Sequence, residues 1–390
     1  MIDYDKVLNE KIKEVKPSGI RKFFDIASEM DNVISLSIGE PDFKTPWHVR
    51  EEGIKSLRLG NTKYTSNKGL TELRQEICKY YSRRFNVEYN GQDNCLVTVG
   101  GSEAIDLAMR TLINEGDEVL IPEPSFVCYV PLVQMADGIP VVVETRQEDN
   151  FKLMPELLEK AITPRSKILV LPYPNNPTGA IMERKDLEKI AEVVKKHNLF
   201  VISDEIYAEL TYNGKGHVSF AEIDNMQERT IVISGFSKSY SMTGWRLGYS
   251  LAPKPLTDAM TKLHQFGIMS APTTAQYAAI EALKHGDKDI ADMRDEYNMR
   301  RRLVVKKFND MGLSCFEPEG AFYAFPCIKS TGLSSDEFCV RLLKSKSVAV
   351  VPGSAFGESG EGFVRVSYSF SVKHIMEALN RIEEFLGEIK

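Results

Sequence analysis

The sequence SGFSKSYSMTGWRLGY, residues 234–249, extends from the end of one apolar run into the next and gives the first indication of the fold. The two runs, TIVISGF and WRLGYSLA, have the composition of β-strands. Lys238 follows the first run directly, and Arg246 stands eight residues further on. Serine and glycine around the lysine allow a sharp turn that leaves backbone N–H groups free. The two cations are typical either of a solvated loop or of a site in which a lysine of lowered pKa lies beside an anion-binding arginine.

Similar apolar runs recur between residues 94 and 252, and several consist almost wholly of valine, isoleucine and leucine. In chain order the runs are CLVTVG, EVLIPEP, PVVVET, KILVLPYP, FVISDEI, TIVISGF and WRLGYSLA. A continuous apolar run is typical of a strand that helices bury on both faces. Between two of them, RKDLEKIAEVVKKHN places Leu187, Ile190, Ala191 and Val194 on one helical face. The pattern predicts an α/β fold whose sheet has about seven strands, most of them parallel.

Such sheets bind ligands where their strands end, so the residues that follow each run are the candidates for a site. CLVTVG ends in Gly100, Gly101 and Ser102 and passes directly into a helical pattern. Free N–H groups, a hydroxyl and the helix dipole favour an anion there, although Ser102 is also typical of a helix cap. The third glycine of a dinucleotide fingerprint and the GK[ST] of a P-loop are both missing.

Three further runs end in polar or aromatic residues. Phe126 follows EVLIPEP, Asn176 lies in the turn NNPTG after KILVLPYP, and Asp204 and Tyr207 follow FVIS. The position of Asp204 after an apolar strand predicts that its carboxylate is buried. Because a buried charge is costly unless it is paired, we expect either a structural ion pair or a cationic ligand such as a protonated ring nitrogen.

Three residues outside the sheet are also candidates. Gly39 lies at a turn in SIGEPDF, which suits either a domain-entry loop or close approach of the backbone to a ligand. Tyr64 lies in the polar loop NTKYTSNKG, where packing is the commoner role of an aromatic residue. Arg365 lies within the strand-like run FVRVSYS and requires a carboxylate partner, which an acidic residue or a ligand can provide.

The strand rhythm stops after residue 255, and helices with short, alternating strands follow. This change predicts a large α/β domain at residues 46–285 and a small α+β domain at residues 286–390. We expect the N-terminal segment, residues 1–45, to join the small domain.

Composition limits the possible functions. A formal net charge of -6 and the lack of a long basic run disfavour a nucleic-acid surface. No apolar run approaches the ~18 residues that a membrane span needs, and MIDYDKVLNEKIKEV at the start lacks the apolar core of a signal peptide. The six cysteines form no CxxC pair and the six histidines are dispersed, which predicts reduced thiols and no metal site. We therefore expect a cytoplasmic protein.

In this order and spacing, the motifs resemble those of the class I and II aminotransferases, which are fold type I enzymes dependent on pyridoxal phosphate. The resemblance covers essentially the whole chain, through SIGEPDF, GGSEA, NNPTG, SDEIY, SKSYSMTGWRLGY and FVRVSYS. Each motif alone is a weak signal, whereas the ordered set is specific. The resemblance implies the fold type I architecture, with a large sheet domain beside a smaller α+β domain.

The resemblance also implies which residues carry the chemistry. Lys238 would bond the cofactor aldehyde and later move the proton between the substrate Cα and the cofactor. Asp204 would keep the pyridine nitrogen protonated, which makes the ring an electron sink. Tyr207 would donate a hydrogen bond to the ring oxygen O3′.

Further residues are implied to bind the cofactor: Gly101, Ser102, Phe126, Asn176, Ser237, Arg246 and, across a subunit interface, Tyr64. Phe126 would stack on the ring, and Asn176 would contact the ring edge. Gly101, Ser102 and Arg246 would hold the phosphate.

The serine that would assist them is not fixed by the resemblance. Many members of the family have a serine three residues before the lysine, and this chain has Gly235 there. Ser237 is the candidate we name, while Ser234 and Ser239 stay open.

The implied substrate residues are Gly39, Asn176 and Arg365, of which the arginine would clamp the α-carboxylate through two hydrogen bonds. In the family, the tyrosine that matches Tyr64 reaches the phosphate bound by the neighbouring subunit. The resemblance therefore implies a homodimer with shared active sites.

The implied reaction moves an amino group from an L-amino acid to a 2-oxo acid such as 2-oxoglutarate, with ping-pong kinetics. The segment SGIRKFFDIA, residues 18–27, is nearest to the aromatic members, so we expect an aromatic donor. Aspartate and alanine aminotransferases stay open, and so does a carbon–sulfur lyase, decarboxylase or synthase on the same scaffold. An effector-binding regulator of this fold, which would carry a DNA-binding domain, is disfavoured by the acidic charge and by the presence of both Lys238 and Asp204.

Overall fold

A seven-stranded sheet forms the centre of the computed structural model, which describes residues 2–15, 17, 19 and 32–389. The strands in chain order are β1 (Ile34–Ser35), β2 (Cys95–Thr98), β3 (Glu118–Glu123), β4 (Ile139–Glu144), β5 (Ser166–Leu171), β6 (Phe200–Asp204), β7 (Thr230–Gly235), β8 (Gly248–Leu251), β9 (Tyr323–Ala324), β10 (Val348–Ala349), β11 (Val351–Pro352) and β12 (Val364–Ser367). The central sheet has the order β2-β8-β7-β6-β5-β3-β4. Its strands coincide with the seven apolar runs, so the predicted number of strands is confirmed.

The direction of the strands also agrees with the prediction. Neighbours among β3, β4, β5, β6 and β7 pair in parallel, whereas β8 is antiparallel to both β2 and β7. The carboxyl ends of the parallel strands therefore meet at one edge of the sheet, where α/β proteins bind ligands. The predicted burial on both faces is wrong for β4, in which Ile139 and Val142 are exposed. The reason is that β4 is the edge strand of the sheet.

Twelve α-helices lie before, between and after these strands in the described chain. They are α1 (Glu10–Glu14), α2 (Trp47–Arg58), α3 (Thr71–Phe85), α4 (Gly100–Leu112), α5 (Tyr129–Met135), α6 (Pro155–Ala161), α7 (Arg184–Lys196), α8 (Lys254–Gly267), α9 (Thr273–His285), α10 (Asp287–Asp310), α11 (Ser335–Lys346) and α12 (Val372–Ile389). Helix α7 has the predicted apolar face, which is buried, and Glu183 and Asp186 form a capping box at its start. None of these helices is long and apolar enough to cross a membrane.

The C-terminal part contains two small sheets. Strand β12 pairs antiparallel with β11 and with β9, and β10 pairs in parallel with β1 from the N-terminal segment. Leu36 is buried in the same core as Val348, Val366 and Ile375. Residues 34–36 thus pack on the C-terminal part, while the division into domains at residues 45 and 285 stays a prediction.

Candidate active site

A cavity of about 510 Å³ lies at the carboxyl ends of the central strands. Eleven of the twelve residues predicted for the site line it: Gly39, Gly101, Ser102, Phe126, Asn176, Asp204, Tyr207, Ser237, Lys238, Arg246 and Arg365. They come from the N-terminal segment, the central sheet and the C-terminal part of the chain. The fold therefore brings together residues that are up to several hundred positions apart, and the roles of the individual residues remain predictions.

Lys238 follows β7 and reaches into the cavity. Its Nζ donates a hydrogen bond to the carbonyl oxygen of Gly39 at 2.6 Å. The ring centroids of Tyr207 and Phe322 lie 5.8 and 5.6 Å from the same Nζ. The amine is thus enclosed by aromatic rings and one backbone acceptor.

Burial is the main cause of the altered acidity of this amine. The pKa of Lys238 falls from 10.5 to about 8, and loss of hydration accounts for the largest part of the change. The charge of Glu40 opposes the fall, while Arg365 and Arg246 add to it. The lowered pKa of Lys238 agrees with the sequence prediction. Its largest cause, however, is desolvation, and Arg246 contributes less than the sequence suggested.

Asp204 ends β6 as a buried carboxylate. The Tyr129 hydroxyl donates to its Oδ2 at 2.7 Å, and the N–H of Ile206 donates to its Oδ1 at 3.2 Å. Burial raises the pKa of Asp204, and these two hydrogen bonds partly counteract the rise. Its partners within residues 32–389 are neutral donors, so the structural ion pair considered from the sequence is not formed there. The carboxylate remains suited to a cationic group that enters the cavity.

The first turn of α4 and Arg246 form an anion-binding corner. Gly101 and Ser102 line the cavity at the start of this helix, where backbone N–H groups are free. Gly100 has a φ of 78°, and a Cβ there would lie 2.8 Å from Nη2 of Arg246. A glycine is therefore needed for the guanidinium to approach the helix terminus. Arg246 is itself held by a hydrogen bond from its Nη1 to the carbonyl oxygen of Thr243 at 2.9 Å.

The serines near the lysine differ in position. Ser237 lines the cavity. The Ser234 hydroxyl instead donates to the carbonyl oxygen of Glu205 at 3.4 Å, and Ser239 is buried outside the lining. Ser237 is therefore the best placed of the three to assist an anion at this corner.

Arg365 lies in β12 and is 3% exposed. Its Nη1 donates to Oδ1 of Asn176 at 2.9 Å, and its Nη2 donates to the carbonyl oxygen of Ser37. The guanidinium carbon lies 4.5 Å from the ring centroid of Tyr323, while Nε has no partner among the described residues. Burial lowers the pKa of Arg365. The acidic side-chain partner that a structural role would require is not found in the described chain, so the arginine can receive a ligand carboxylate.

Two tyrosines of the site were missed by sequence reasoning. Tyr129 holds Asp204, and the Tyr323 hydroxyl lies 2.8 Å from the hydroxyl of Tyr207. Both residues line the cavity and are almost fully buried. Tyr129 stands three residues after Phe126, and this spacing is the signal that could have suggested it. Tyr323 has no comparable local signal.

One predicted residue lies away from the cavity, and one predicted segment lies outside the described residues. Tyr64 is 82% exposed and is not part of the lining. The segment SGIRKFFDIA, which favoured an aromatic donor, lies outside the described residues except for Gly19.

The groups in the cavity fit pyridoxal phosphate. The corner formed by α4 and Arg246 suits its phosphate, the buried carboxylate of Asp204 suits its protonated ring nitrogen, and the buried amine of Lys238 suits its aldehyde. Arg365 remains for the carboxylate of an amino acid. The donor set therefore matches both the cofactor and a substrate.

Comparisons with known proteins agree with this geometry. The family described as Aminotransferase class I and II matches residues 31–382. The chain is 52% identical to a putative aminotransferase of Bacillus subtilis over 97% of this chain and 98% of that protein. It is 45% identical to an aspartate aminotransferase of Pyrococcus abyssi, covering 98% and 99% of the two chains. The crystal structure of an aromatic aminotransferase from Pyrococcus horikoshii superposes with a TM-score of 0.90 at 44% identity, covering 94% and 99%.

Proposed function

Because the chain belongs to the class I and II aminotransferases, which transfer amino groups between small molecules with pyridoxal 5′-phosphate, we propose that its donor is an aromatic L-amino acid. The acceptor in this proposal is a 2-oxo acid such as 2-oxoglutarate. The two half-reactions alternate at one site, which gives ping-pong kinetics.

The charges that line the cavity are the observation that carries the choice of donor. The cations among the described lining residues are Lys238, Arg246 and Arg365. Each has a role with the cofactor or with the α-carboxylate, so none of the three remains for the second carboxylate of aspartate. Ile38 adds an exposed apolar side chain to the lining. An uncharged, apolar donor side chain suits these surroundings better than a charged one.

Lys238 carries the proton transfer in this proposal. The bound cofactor supplies an aldehyde for the amino group and a protonated ring that withdraws electrons from the substrate Cα. A pKa of about 8 leaves part of the lysine population neutral near pH 7. The neutral Nζ can accept a proton from the substrate Cα and return it to the carbon of the cofactor. Asp204 holds the proton on the ring nitrogen, and Tyr129 keeps the carboxylate in place.

Arg365 orients the substrate. Its hydrogen bonds to Asn176 and to the carbonyl oxygen of Ser37 fix the plane of the guanidinium before the substrate binds. A preorganised fork of this kind binds a carboxylate through two parallel hydrogen bonds. Arg246 and the start of α4 would hold the phosphate, with Ser237 as the third contact.

The proposal includes a homodimer in which Tyr64 completes the phosphate site of the partner subunit. Tyr64 is exposed and stands on a loop in which Asn67 donates to the carbonyl oxygen of Met269 at 2.8 Å. The adjoining segment exposes further apolar side chains, of which Phe266 is 87% exposed. An exposed apolar surface of this kind is typical of a protein interface and supports a second copy at this place.

The division at residues 45 and 285 is part of the same proposal. The pairing of β1 with β10 and the position of Leu36 in the C-terminal core support it, because they attach the first segment to the last part of the chain. Helix α10 begins at Asp287, close to the second boundary. The cytoplasmic location is kept as a prediction of the sequence.

A panel of amino donors with 2-oxoglutarate tests the proposal. We expect kcat/KM for phenylalanine and tyrosine to exceed the values for aspartate and alanine by about tenfold or more, a difference of about 1.4 kcal/mol. Absorbance changes of the bound cofactor without an acceptor isolate the first half-reaction. A preference for aspartate or alanine would overturn the choice of donor, and release of pyruvate and ammonia without an acceptor would indicate a carbon–sulfur lyase.

A further inference from the structure

Tyr323 contacts two residues with different proposed roles, one that binds the cofactor and one that binds the substrate. Its hydroxyl oxygen lies 2.8 Å from the hydroxyl oxygen of Tyr207, the residue assigned to the cofactor. Its ring centroid lies 4.5 Å from the guanidinium carbon of Arg365, the residue assigned to the substrate. Tyr323 is 1% exposed and belongs to the cavity lining.

Sheet register explains why one side chain reaches both residues. In the antiparallel pair of β9 and β12, Tyr323 is opposite Ser367, and Arg365 stands two residues before that serine. Residues that differ by two positions along a strand lie on the same face, so the ring and the guanidinium are diagonal neighbours. An arginine over an aromatic face gains a cation–π contact, which is stronger where water is excluded.

The N-terminal segment closes the other side of Tyr323. A Cβ at Gly39 would lie 2.1 Å from the Tyr323 hydroxyl oxygen, so a side chain at this position is incompatible with the observed packing. The same segment provides the carbonyl oxygen of Ser37 for Arg365 and that of Gly39 for Lys238. Tyr323 therefore has little room to move away from its two partners.

Both phenols keep their protons in this environment. Burial raises the pKa of Tyr207 and that of Tyr323 above the ordinary value of 10.0. If Tyr207 donates its proton to a ligand oxygen, its own oxygen can accept the proton of the Tyr323 hydroxyl. Consecutive hydrogen bonds polarise each other, so the second bond strengthens the first.

We propose that Tyr323 is a positioning residue that orients Arg365 through its ring and Tyr207 through its hydroxyl. The inference rests on the proposed function, because it takes the roles of Arg365 and Tyr207 from there. It assigns two separable effects to one side chain, and a buried aromatic residue with a purely structural role would produce neither of them.

Tyr323→Phe tests the hydroxyl, because it retains the ring under Arg365. A hydrogen bond from Tyr207 favours the ionised oxygen of the cofactor, so a weaker bond should move the pH-dependent absorbance transition of the bound cofactor upward. We expect a shift between a few tenths of a unit and about one unit. The dissociation constant of 3-phenylpropionate, an unreactive aromatic carboxylate, should stay within about twofold of the wild-type value.

Tyr323→Leu tests the ring. The dissociation constant of 3-phenylpropionate, measured by titration of the holoenzyme spectrum, should rise by about tenfold relative to Tyr323→Phe. If the leucine variant does not fold, Tyr323→Met removes the aromatic face while filling more of the volume. Equal dissociation constants in the leucine (or methionine) and phenylalanine variants would overturn the role of the ring.

Tyr368→Phe is the matched control. Its hydroxyl is also buried and donates to the carbonyl oxygen of Ala321 at 3.2 Å, but the residue is not part of the cavity lining. Its absorbance transition and its affinity for 3-phenylpropionate should equal the wild-type values. A Tyr323→Phe transition identical to that of Tyr368→Phe would overturn the role of the hydroxyl.

Two more variants separate this inference from the proposed function. Tyr207→Phe should shift the absorbance transition, and Arg365→Lys should weaken binding of 3-phenylpropionate. If neither has its effect, the proposed roles are wrong. If both do and the Tyr323 variants behave like wild type, only the inference about Tyr323 is wrong.

Discussion

The Nζ of Lys238 lies 2.6 Å from the carbonyl oxygen of Gly39, although the two residues are 199 positions apart in the chain. The contact holds the amine where the central sheet meets the N-terminal segment. Burial at this place lowers the pKa of the lysine to about 8. Because only the neutral amine is a nucleophile, its protonation state determines how readily the cofactor-free protein bonds the cofactor aldehyde at a given pH.

Glu40→Gln should shift the pH dependence of cofactor binding toward lower pH. The rate at which the apoenzyme combines with pyridoxal phosphate should rise as the pH increases through about 8, where Lys238 loses its proton. The charge of Glu40 raises the pKa of Lys238, so its removal should lower the midpoint. Stopped-flow absorbance from about pH 6 to pH 10 measures that midpoint. Glu383→Gln, an exposed carboxylate on α12, is the control, and equal midpoints in both variants would contradict the prediction.

Lys238→Met should abolish transamination and stabilise the apoprotein at neutral pH. We expect kcat to fall by at least about 10³-fold, because both the nucleophile and the base are removed. At pH 7 the wild-type lysine is mostly charged in the folded state and charged in the unfolded state, and lowering its pKa from 10.5 to about 8 costs up to about 3 kcal/mol.

That cost should decline as the pH rises from about 8 to 10.5, where the unfolded lysine still binds its proton and the folded lysine does not. Urea unfolding of the two apoproteins at neutral and at high pH measures the difference in stability. A difference that is the same at both pH values would mean that the buried charge is not its cause.

Asp204→Asn should remove most of the rate without lowering stability. The variant cannot hold a proton on the ring nitrogen, so kcat should fall by about 10³-fold. The folded state favours the protonated carboxyl, because burial raises its pKa, so a neutral amide should be tolerated at pH 7. Steady-state kinetics and thermal unfolding of the apoprotein check both statements.

A structural ion pair at Asp204 would give the opposite result, with a loss of about 3–5 kcal/mol of stability and an unchanged kcat. Asp106→Asn is the control for the kinetics. It removes an exposed ion pair with Arg110 on α4 and should leave kcat unaffected.

Arg365→Leu should impair amino acids selectively over amines. The variant loses the charged fork for the α-carboxylate, so kcat/KM for phenylalanine should fall by about 10²-fold or more. 2-Phenylethylamine has no carboxylate, and its slow half-reaction should change by less than about threefold. Comparable losses for both compounds would indicate that the arginine supports the fold of the cavity.

Tyr64→Ala and Lys238→Ala should complement each other when mixed. If Tyr64 serves the partner subunit, a mixed dimer contains one site with both substitutions and one site with neither. Unfolding and refolding an equimolar mixture should therefore restore up to about a quarter of the wild-type activity per subunit. Activity no higher than the mean of the two variants would show that Tyr64 does not act across the interface.

The sequence alone determined the strands and most of the candidate site. The runs that became β2 to β8 are short, apolar and separated by helical patterns, and these are properties of neighbouring residues. Asp204 and Lys238 could be singled out for the same reason, since each follows an apolar strand directly. The carboxyl ends of parallel strands share an edge, so their convergence followed from the fold class.

Only the tertiary structure decided which side chains touch. Tyr323 meets Arg365 through the register of two short strands and meets Tyr207 across 116 positions of the chain, so no local pattern encodes either contact. The largest cause of the pKa of Lys238 is likewise a property of the assembled cavity. The effect of Arg246 on this pKa could be predicted because the arginine is near Lys238 in sequence. The burial of Lys238 could not, because it depends on segments from both ends of the chain.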